Sequence, residues 1–177
     1  MAICNALTTG LNKSCDTNAG GLNKIYITDY ENVSSYTVGA GTGGDWITGI
    51  TMAGPALFYE FQTNKNVCNF VETVAIDLVA GTTFFNQIVT VVLSRRETIK
   101  RNAIEELTDG QKQLCIIVLD SNGLYWFSGL DEGSYVSAID GGSGTAKADA
   151  NGYTITATAM EAIQMYQVDP TIIAAII

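Results

Sequence analysis

The sequence has 177 residues, of which 47% are apolar and only 15% are charged, and its formal net charge is −9. This length predicts one domain with a sizeable core, and the scarcity of charge predicts a surface of the kind that partner subunits cover. The chain has no histidine, so the commonest general base and metal ligand is missing, and its acidic balance argues against general affinity for nucleic acid.

The two ends of the chain and its cysteines give no sign of export or of a metal centre. The first residues lack the basic start and apolar stretch of a secretory signal, so cytoplasmic folding is expected. The apolar run at residues 172–177 is far shorter than the roughly 20 residues that cross a bilayer. Cys4, Cys15, Cys68 and Cys115 are irregularly spaced, which favours free thiols over a zinc site.

Alternation of apolar and polar residues predicts a chain made mainly of β-strands. Residues 24–30 alternate cleanly after the glycine pair at 20–21 and predict the first strand. Residues 38–45 are rich in glycine and predict a mobile loop; without a Gly-Lys-Ser/Thr ending they do not fit a phosphate-binding loop. The other predicted strands cover residues 46–52, 57–62, 67–78, 84–93, 114–119, 124–128 and 153–159.

One helix, at about residues 94–109, is predicted within the most basic part of the chain. Ser94 and Glu97 have the spacing of a capping box, Gly110 follows the last turn, and Glu97 with Arg101 forms an i,i+4 pair. An apolar stripe is expected to face a sheet, and it comprises Ile99, Ala103, Ile104 and Leu107. The basic side chains then point outward, either to solvent or to acids of a neighbouring subunit.

The turn signals after the helix predict hairpins, and no catalytic constellation accompanies them. Residues 120–123 and the Asn151-Gly152 pair are expected at hairpin tips, because they tolerate positive φ. Asp131 and Glu132 are adjacent acids that we interpret as a solvated turn instead of a catalytic pair. We therefore expect no enzyme activity, no cofactor and no metal.

The order of elements resembles that of structural proteins of tailed phages infecting Bacteroidetes-type hosts, and most of all a tail-tube protein. The resemblance covers most of the chain from Tyr26 onward. The stretches that carry it are 24–30 (KIYITDY), 93–97 (LSRRE), 123–127 (GLYWF) and 168–170 (VDP).

The resemblance implies a mainly β, α+β fold: an antiparallel β-sandwich or half-barrel with one flanking helix and long Gly-rich loops. It implies a single domain over residues 1–177, with an N-terminal arm at 1–22 and a C-terminal arm at 165–177. Subunits would form hexameric rings that stack into a tube, contact other phage tail proteins, and conduct DNA without binding it. The protein would then be assembled in the host cytoplasm and reside in the virion tail.

Nine residues are predicted to lie at the interface between subunits. The terminal isoleucines among them either pack back on their own sandwich or lie on a neighbour as an assembly arm. The predicted set is Arg95, Arg96, Lys100, Arg101, Asp45, Trp46, Ile172, Ile173 and Ile176.

Two alternatives remain open at the level of sequence. A capsid decoration or head–tail connector protein would share the β-rich fold and would carry a basic or apolar patch, whereas a tube would concentrate acidic side chains on one sheet face. A glycan-binding virion module would use aromatic stacking platforms, for which the candidates are Trp46, Tyr125, Trp126 and Tyr135.

Overall fold

The computed structural model of the chain describes residue 10 and residues 15–41, 44–64 and 66–177. Within these residues, strands predominate and two α-helices lie in the second half of the chain. In chain order the elements are β1 (Leu22–Asp29), β2 (Val33–Gly41), β3 (Gly44–Met52), β4 (Tyr59–Phe61), β5 (Asn69–Asp77), β6 (Thr82–Ser94), α1 (Thr98–Thr108), β7 (Leu114–Asp120), β8 (Tyr125–Ser128), β9 (Tyr135–Gly142), β10 (Gly152–Glu161), β11 (Tyr166–Val168) and α2 (Pro170–Ile176).

The strands form two sheets. The larger has seven strands in the order β2-β3-β11-β8-β7-β1-β4, and the smaller has four in the order β5-β6-β10-β9. Neighbouring strands are antiparallel except for β3 and β11, which are parallel. The predicted mainly β, α+β class is confirmed, and the structure adds the short helix α2 and one parallel strand pair to it.

The first hydrophobic core lies between the two sheets, which pack face to face as a sandwich. The seven-stranded sheet contributes the side chains of Ile25, Ile116 and Val118, and the four-stranded sheet contributes Val91 and Ile155 among others. Helix α1 covers one border of this core with the side chains of Ile104 and Leu107. The helix therefore flanks the sandwich, as its apolar stripe predicted.

A second core covers the opposite face of the seven-stranded sheet. Ile47, Ile117 and Phe127 point to this side, where Ile173 and Ile176 of α2 pack on them. The sequence left open whether the terminal isoleucines pack back or reach a neighbour, and the structure shows that they pack back. Ile173 and Ile176 are 4% and 3% exposed, so they do not form a surface that another subunit can contact.

The segment predicted as a Gly-rich loop contains strands, and a second glycine-containing segment also forms a strand. Residues 38–41 belong to β2 and residues 44–45 to β3, so the predicted mobile loop is wrong for these residues; residues 42–43 lie outside the described part of the chain. Gly141 and Gly142 belong to β9, and a Cβ on Gly141 would lie 2.9 Å from the ring of Tyr153. Glycine at position 141 thus permits close packing within the sheet and is not a sign of a loop.

The start of the predicted helix is wrong in detail. Ser94 ends β6, and α1 begins at Thr98 after Glu97, whose side chain makes no capping hydrogen bond. Ile99 is 75% exposed and does not face the sheet. Gly110 has a φ of 65° just beyond the helix, which is the left-handed conformation expected of a residue that ends a helix.

The predicted hairpin tips have different outcomes. Residues 121–124 connect β7 to β8, as predicted, and the Asp120 carboxylate accepts hydrogen bonds from the backbone N–H groups of Asn122 and Leu124. The Asn151-Gly152 pair lies at the start of β10 and not at a tip, because a longer connection of residues 143–151 links β9 to β10. No helix among the described residues has the length and apolar character needed to span a membrane.

Candidate functional site

The basic residues of the helix region are engaged within their own chain. Arg95 and Lys100 both form ion pairs with Glu97, at 3.2 and 3.3 Å. Arg101 pairs with Glu105 at 3.1 Å, so the predicted pair of Glu97 with Arg101 is wrong. These pairs are substantially exposed and contribute little to stability.

Arg96 differs from the other three because its guanidinium lies over an aromatic ring. The guanidinium carbon is 5.1 Å from the centre of the Tyr153 ring, and Nε is 3.4 Å from the hydroxyl oxygen. This contact connects the segment before α1 to β10. The four cations therefore contact groups of their own chain and do not form an unpaired basic surface among the described residues. Their role at a subunit interface stays a prediction.

The four-stranded sheet carries no positive charge. All residues of β5, β6, β9 and β10 are described, and none is lysine or arginine. Strand register and burial place hydroxyl and amide groups on the outer face, away from the core. Representative outer residues are Thr90, Thr154, Thr156, Thr158, Ser137 and Asn69.

Acidic side chains are not concentrated on this outer face. The register directs Asp77 and Asp140 outward, whereas Glu72 and Glu161 belong to the inner face. The face is therefore rich in hydroxyl groups and only weakly acidic, whereas the tube interpretation predicts a strongly acidic face. A face without cations lacks the contacts that hold phosphate, but two acids repel phosphate only weakly.

Both edges of the four-stranded sheet are open. β5 forms one border and β9 the other, and neither has a second neighbour among the described strands. An open edge presents backbone N–H and C=O groups that can pair with another chain. The apolar side chains of Val71, Val74 and Ile76 on β5 are also exposed, so this edge combines free hydrogen-bonding groups with an uncovered apolar surface.

The hairpin between β5 and β6 ends in an apolar tip. Leu78 and Val79 are 90% and 99% exposed, the largest fractions among the exposed large apolar residues of the described chain. The Asp77 carboxylate accepts hydrogen bonds from the backbone N–H groups of Val79 and Ala80, at 2.8 and 3.0 Å. These bonds hold the pKa of Asp77 below its usual value and give the tip a defined shape.

The only two tryptophans of the chain line one open cleft of about 630 Å³. Trp46 lies in β3, Trp126 lies in β8, and Gln167 of the intervening strand β11 pairs with Trp126. Ile47 and Val168 point into the second core, so alternation along β3 and β11 directs Trp46 and Gln167 to the opposite face. Asp45 lies beside Trp46 at the border of this cleft, and both are half-buried or exposed.

Glu161 is a buried carboxylate at the end of β10, and the sequence did not predict its burial. Its side chain is hidden from solvent, and its two oxygens accept hydrogen bonds of 3.1–3.3 Å from the backbone N–H groups of Asp131 and Glu132. Burial raises the pKa of Glu161, and the neighbouring acids add to this effect. The adjacent acids Asp131 and Glu132 occupy an exposed turn, as predicted, and their amides serve to hold Glu161.

Two tyrosine hydroxyl groups donate hydrogen bonds to Asp131 in this turn. The Tyr36 hydroxyl donates a hydrogen bond of 2.6 Å to the Asp131 carboxylate, which raises the pKa of Tyr36 to about 12. The Tyr30 hydroxyl donates to the Asp131 backbone oxygen. A tyrosine with a raised pKa keeps its proton at neutral pH, so both hydroxyls serve as hydrogen-bond donors that support the turn.

The described cysteines are free, and no metal site is formed by described residues. Cys68 and Cys115 are buried, and Cys15 is exposed; Cys4 lies outside the described residues. Burial raises the pKa of Cys115 to about 12, which keeps the thiol protonated and unreactive. No group of three or more cysteine, aspartate and glutamate side chains in the described chain is arranged to hold a metal ion.

Comparison with known proteins adds no relative. No protein-family model matches the chain, and no curated protein or solved structure gives a significant match. The resemblance to tail-tube proteins therefore stays a prediction.

Proposed function

We propose that the protein is a virion structural subunit that assembles into rings and stacked tubes, through which phage DNA passes without specific binding. The observation that carries the proposal is the four-stranded sheet with two open edges and no lysine or arginine. Pairing of β5 in one subunit with β9 in the next would continue the sheet around a ring. Ring closure would remove both edges, which otherwise favour uncontrolled association.

The same arrangement would turn the outer face of this sheet toward the bore of the ring. A wall without cations offers no sites that neutralise phosphates, so DNA would not be held by counterion release. The net charge of −9 adds a long-range repulsion to the weak one that the two outward acids of the wall supply. A ring of six subunits is what the tail-tube resemblance implies.

The exposed apolar hairpin supports assembly independently of the sheet edges. Val74, Ile76, Leu78 and Val79 expose an apolar surface that a monomer leaves in water. Burial of apolar surface contributes about 25 cal/mol per Å², so a neighbouring subunit that covers the hairpin would gain stability. The tip is already shaped by the Asp77 hydrogen bonds, which lowers the entropic cost of docking.

Charge at the open edge should prevent assembly without unfolding the subunit. We expect Val74→Lys combined with Ile76→Lys to remain monomeric by mass photometry while its urea midpoint stays near that of the wild type, because both positions are exposed. The matched control is Tyr59→Lys, a 66% exposed position on the border strand β4 of the other sheet. Assembly lost equally in the control would contradict the assignment to the four-stranded sheet.

The bore is tested by adding positive charge to the outer face. Tubes of a Thr90→Lys, Thr156→Lys double variant should retain DNA in a sedimentation assay at low salt and release it as salt rises, whereas wild-type tubes should retain none. Retention by wild-type tubes would contradict a non-binding conduit. Monomers or open oligomers that bind phage capsids would favour a decoration protein instead.

A further inference from the structure

The tryptophan cleft has the make-up of a ligand site and takes no part in the proposed assembly through the four-stranded sheet. Its volume of about 630 Å³ falls in the range of about 300–1,000 Å³ that is usual for small-molecule pockets. Trp46 and Trp126 are only partly buried, so each leaves part of a large apolar ring accessible to a ligand.

The cleft is preformed, because the four-stranded sheet and the Asp120 turn hold its walls. Glu72 accepts a hydrogen bond of 2.6 Å from the backbone N–H of Met165, and Gln87 donates one of 3.2 Å to the backbone oxygen of Ile163. Residues 162–165 form one wall of the cleft. The indole N–H of Trp126 donates to the Asp120 carboxylate at 3.2 Å, and Phe70 lies 6.3 Å from its ring, centre to centre.

Polar groups without partners alternate with the aromatic rings of the cleft. Asp45, Gln164 and Gln167 line the cleft, and their side chains make no hydrogen bond to the described residues. Gln87 shows the contrast, since its amide uses both ends inside the molecule. Gln167 lies on the strand between those of the two tryptophans, so its free donor and acceptor share a sheet face with both indoles.

We propose that this cleft binds a neutral saccharide. A pyranose ring has an apolar face of C–H groups that stacks on an indole, and a rim of hydroxyl groups that hydrogen-bond to amides and carboxylates. Trp46 and Trp126 supply the stacking surfaces, and Gln167 and Gln164 supply the polar contacts. A wholly apolar ligand would leave those polar groups unpaired, and a polyanion would find no lysine or arginine lining the cleft.

The chain provides its own probe, because its only two tryptophans both line the cleft. Cellotriose, whose flat β-linked rings expose apolar faces, is titrated into the wild-type protein under tryptophan excitation, at a concentration where mass photometry shows monomer. The proposal expects a saturable change in emission. We expect Gln167→Leu to weaken the affinity roughly tenfold, as loss of one ligand hydrogen bond implies, while the two indoles still report the binding.

Two further variants separate the cleft from general effects. Trp46→Ala should abolish saturable binding while far-ultraviolet circular dichroism shows an intact fold, and Tyr59→Ala, an exposed aromatic outside the cleft, should bind as the wild type does. Absence of a saturable response to cellotriose and to chitotriose would overturn the proposal. An equal response to tetramethylammonium would overturn it in favour of a cation cage, and a change that depends on protein concentration alone would place a second copy in the cleft.

Discussion

Strands β7 and β10 both have a neighbouring strand on each side, yet they have different environments. Residues 114–118 at the start of β7 are buried in succession, because one face of the seven-stranded sheet packs on the four-stranded sheet and the other packs on α2. In β10 buried and half-buried residues alternate up to Ala159, because its outer face has no layer above it. The seven-stranded sheet is thus covered on both faces, whereas the outer face of the four-stranded sheet has no cover.

The largest test of this difference compares one side chain from each central strand. Ile117→Ala on β7 removes apolar atoms from a site that is 1% exposed and should cost about 2–5 kcal/mol. Thr156→Ala on the outer face of β10 should change the free energy of unfolding by less than about 0.5 kcal/mol. Urea denaturation of monomeric protein measures both, and equal costs would show that the two outer faces are not different in the monomer.

A smaller effect tests the role of α2 as the cover of the seven-stranded sheet. The Asp169 carboxylate accepts hydrogen bonds from the Thr171 backbone N–H at 2.8 Å and from its hydroxyl at 2.7 Å, and thereby caps the helix. Asp169→Ala should cost about 1 kcal/mol, whereas Asp169→Asn should retain most of the stability, since asparagine caps as well as aspartate. If both variants lose the same amount, the cap does not act through its hydrogen bonds.

The smallest expected effect is a dependence of the free energy of unfolding on pH that comes from Glu161, the last residue of β10. The pKa of Glu161 is raised by burial above its ordinary value of 4.5, so the folded state holds this proton more tightly than the unfolded chain does. The stabilising contribution is full below about pH 4.5 and is lost as the pH rises through the raised pKa. As the pH rises from about 4.5 through the raised pKa, the urea midpoint of Glu161→Gln should therefore fall less than that of the wild type.

The control for Glu161 is an exposed acid on α1. Glu106→Gln should keep the pH profile of the wild type, because Glu106 lies on the solvent side of the helix. If Glu161→Gln follows the wild-type profile equally closely, protonation of Glu161 does not contribute to stability, and another buried group has to account for any dependence on pH.

Local pattern predicted the strands that have one covered face or a clear break before them. Residues 24–30 were predicted and β1 is Leu22–Asp29, and residues 153–159 were predicted within β10. The glycines of β2 resemble a loop signal, and the pattern does not predict β9, in which Gly141 permits contact with a tyrosine ring. The Asp169-Pro170 pair is typical of a capped helix start, and it lies in the segment predicted as a C-terminal arm.

The surfaces proposed to bind partners depend on contacts that no local pattern contains. Trp46 and Trp126 are 80 positions apart in the sequence, and they share a face only because β11 inserts between β3 and β8. The partners of Glu161 are backbone N–H groups of a turn about 30 residues earlier in the chain. The sequence shows that β5, β6, β9 and β10 contain no lysine or arginine, but it does not show that these four strands form one sheet.

We propose that the open four-stranded sheet mediates assembly into a closed conduit. Negative-stain electron microscopy of the wild-type protein over a concentration series, with mass photometry of the same samples, is the decisive measurement. We expect rings or hollow tubes of one diameter that disappear in the Val74→Lys, Ile76→Lys variant. A wild-type protein that stays monomeric, or that forms a small oligomer without a bore at every concentration, would contradict it.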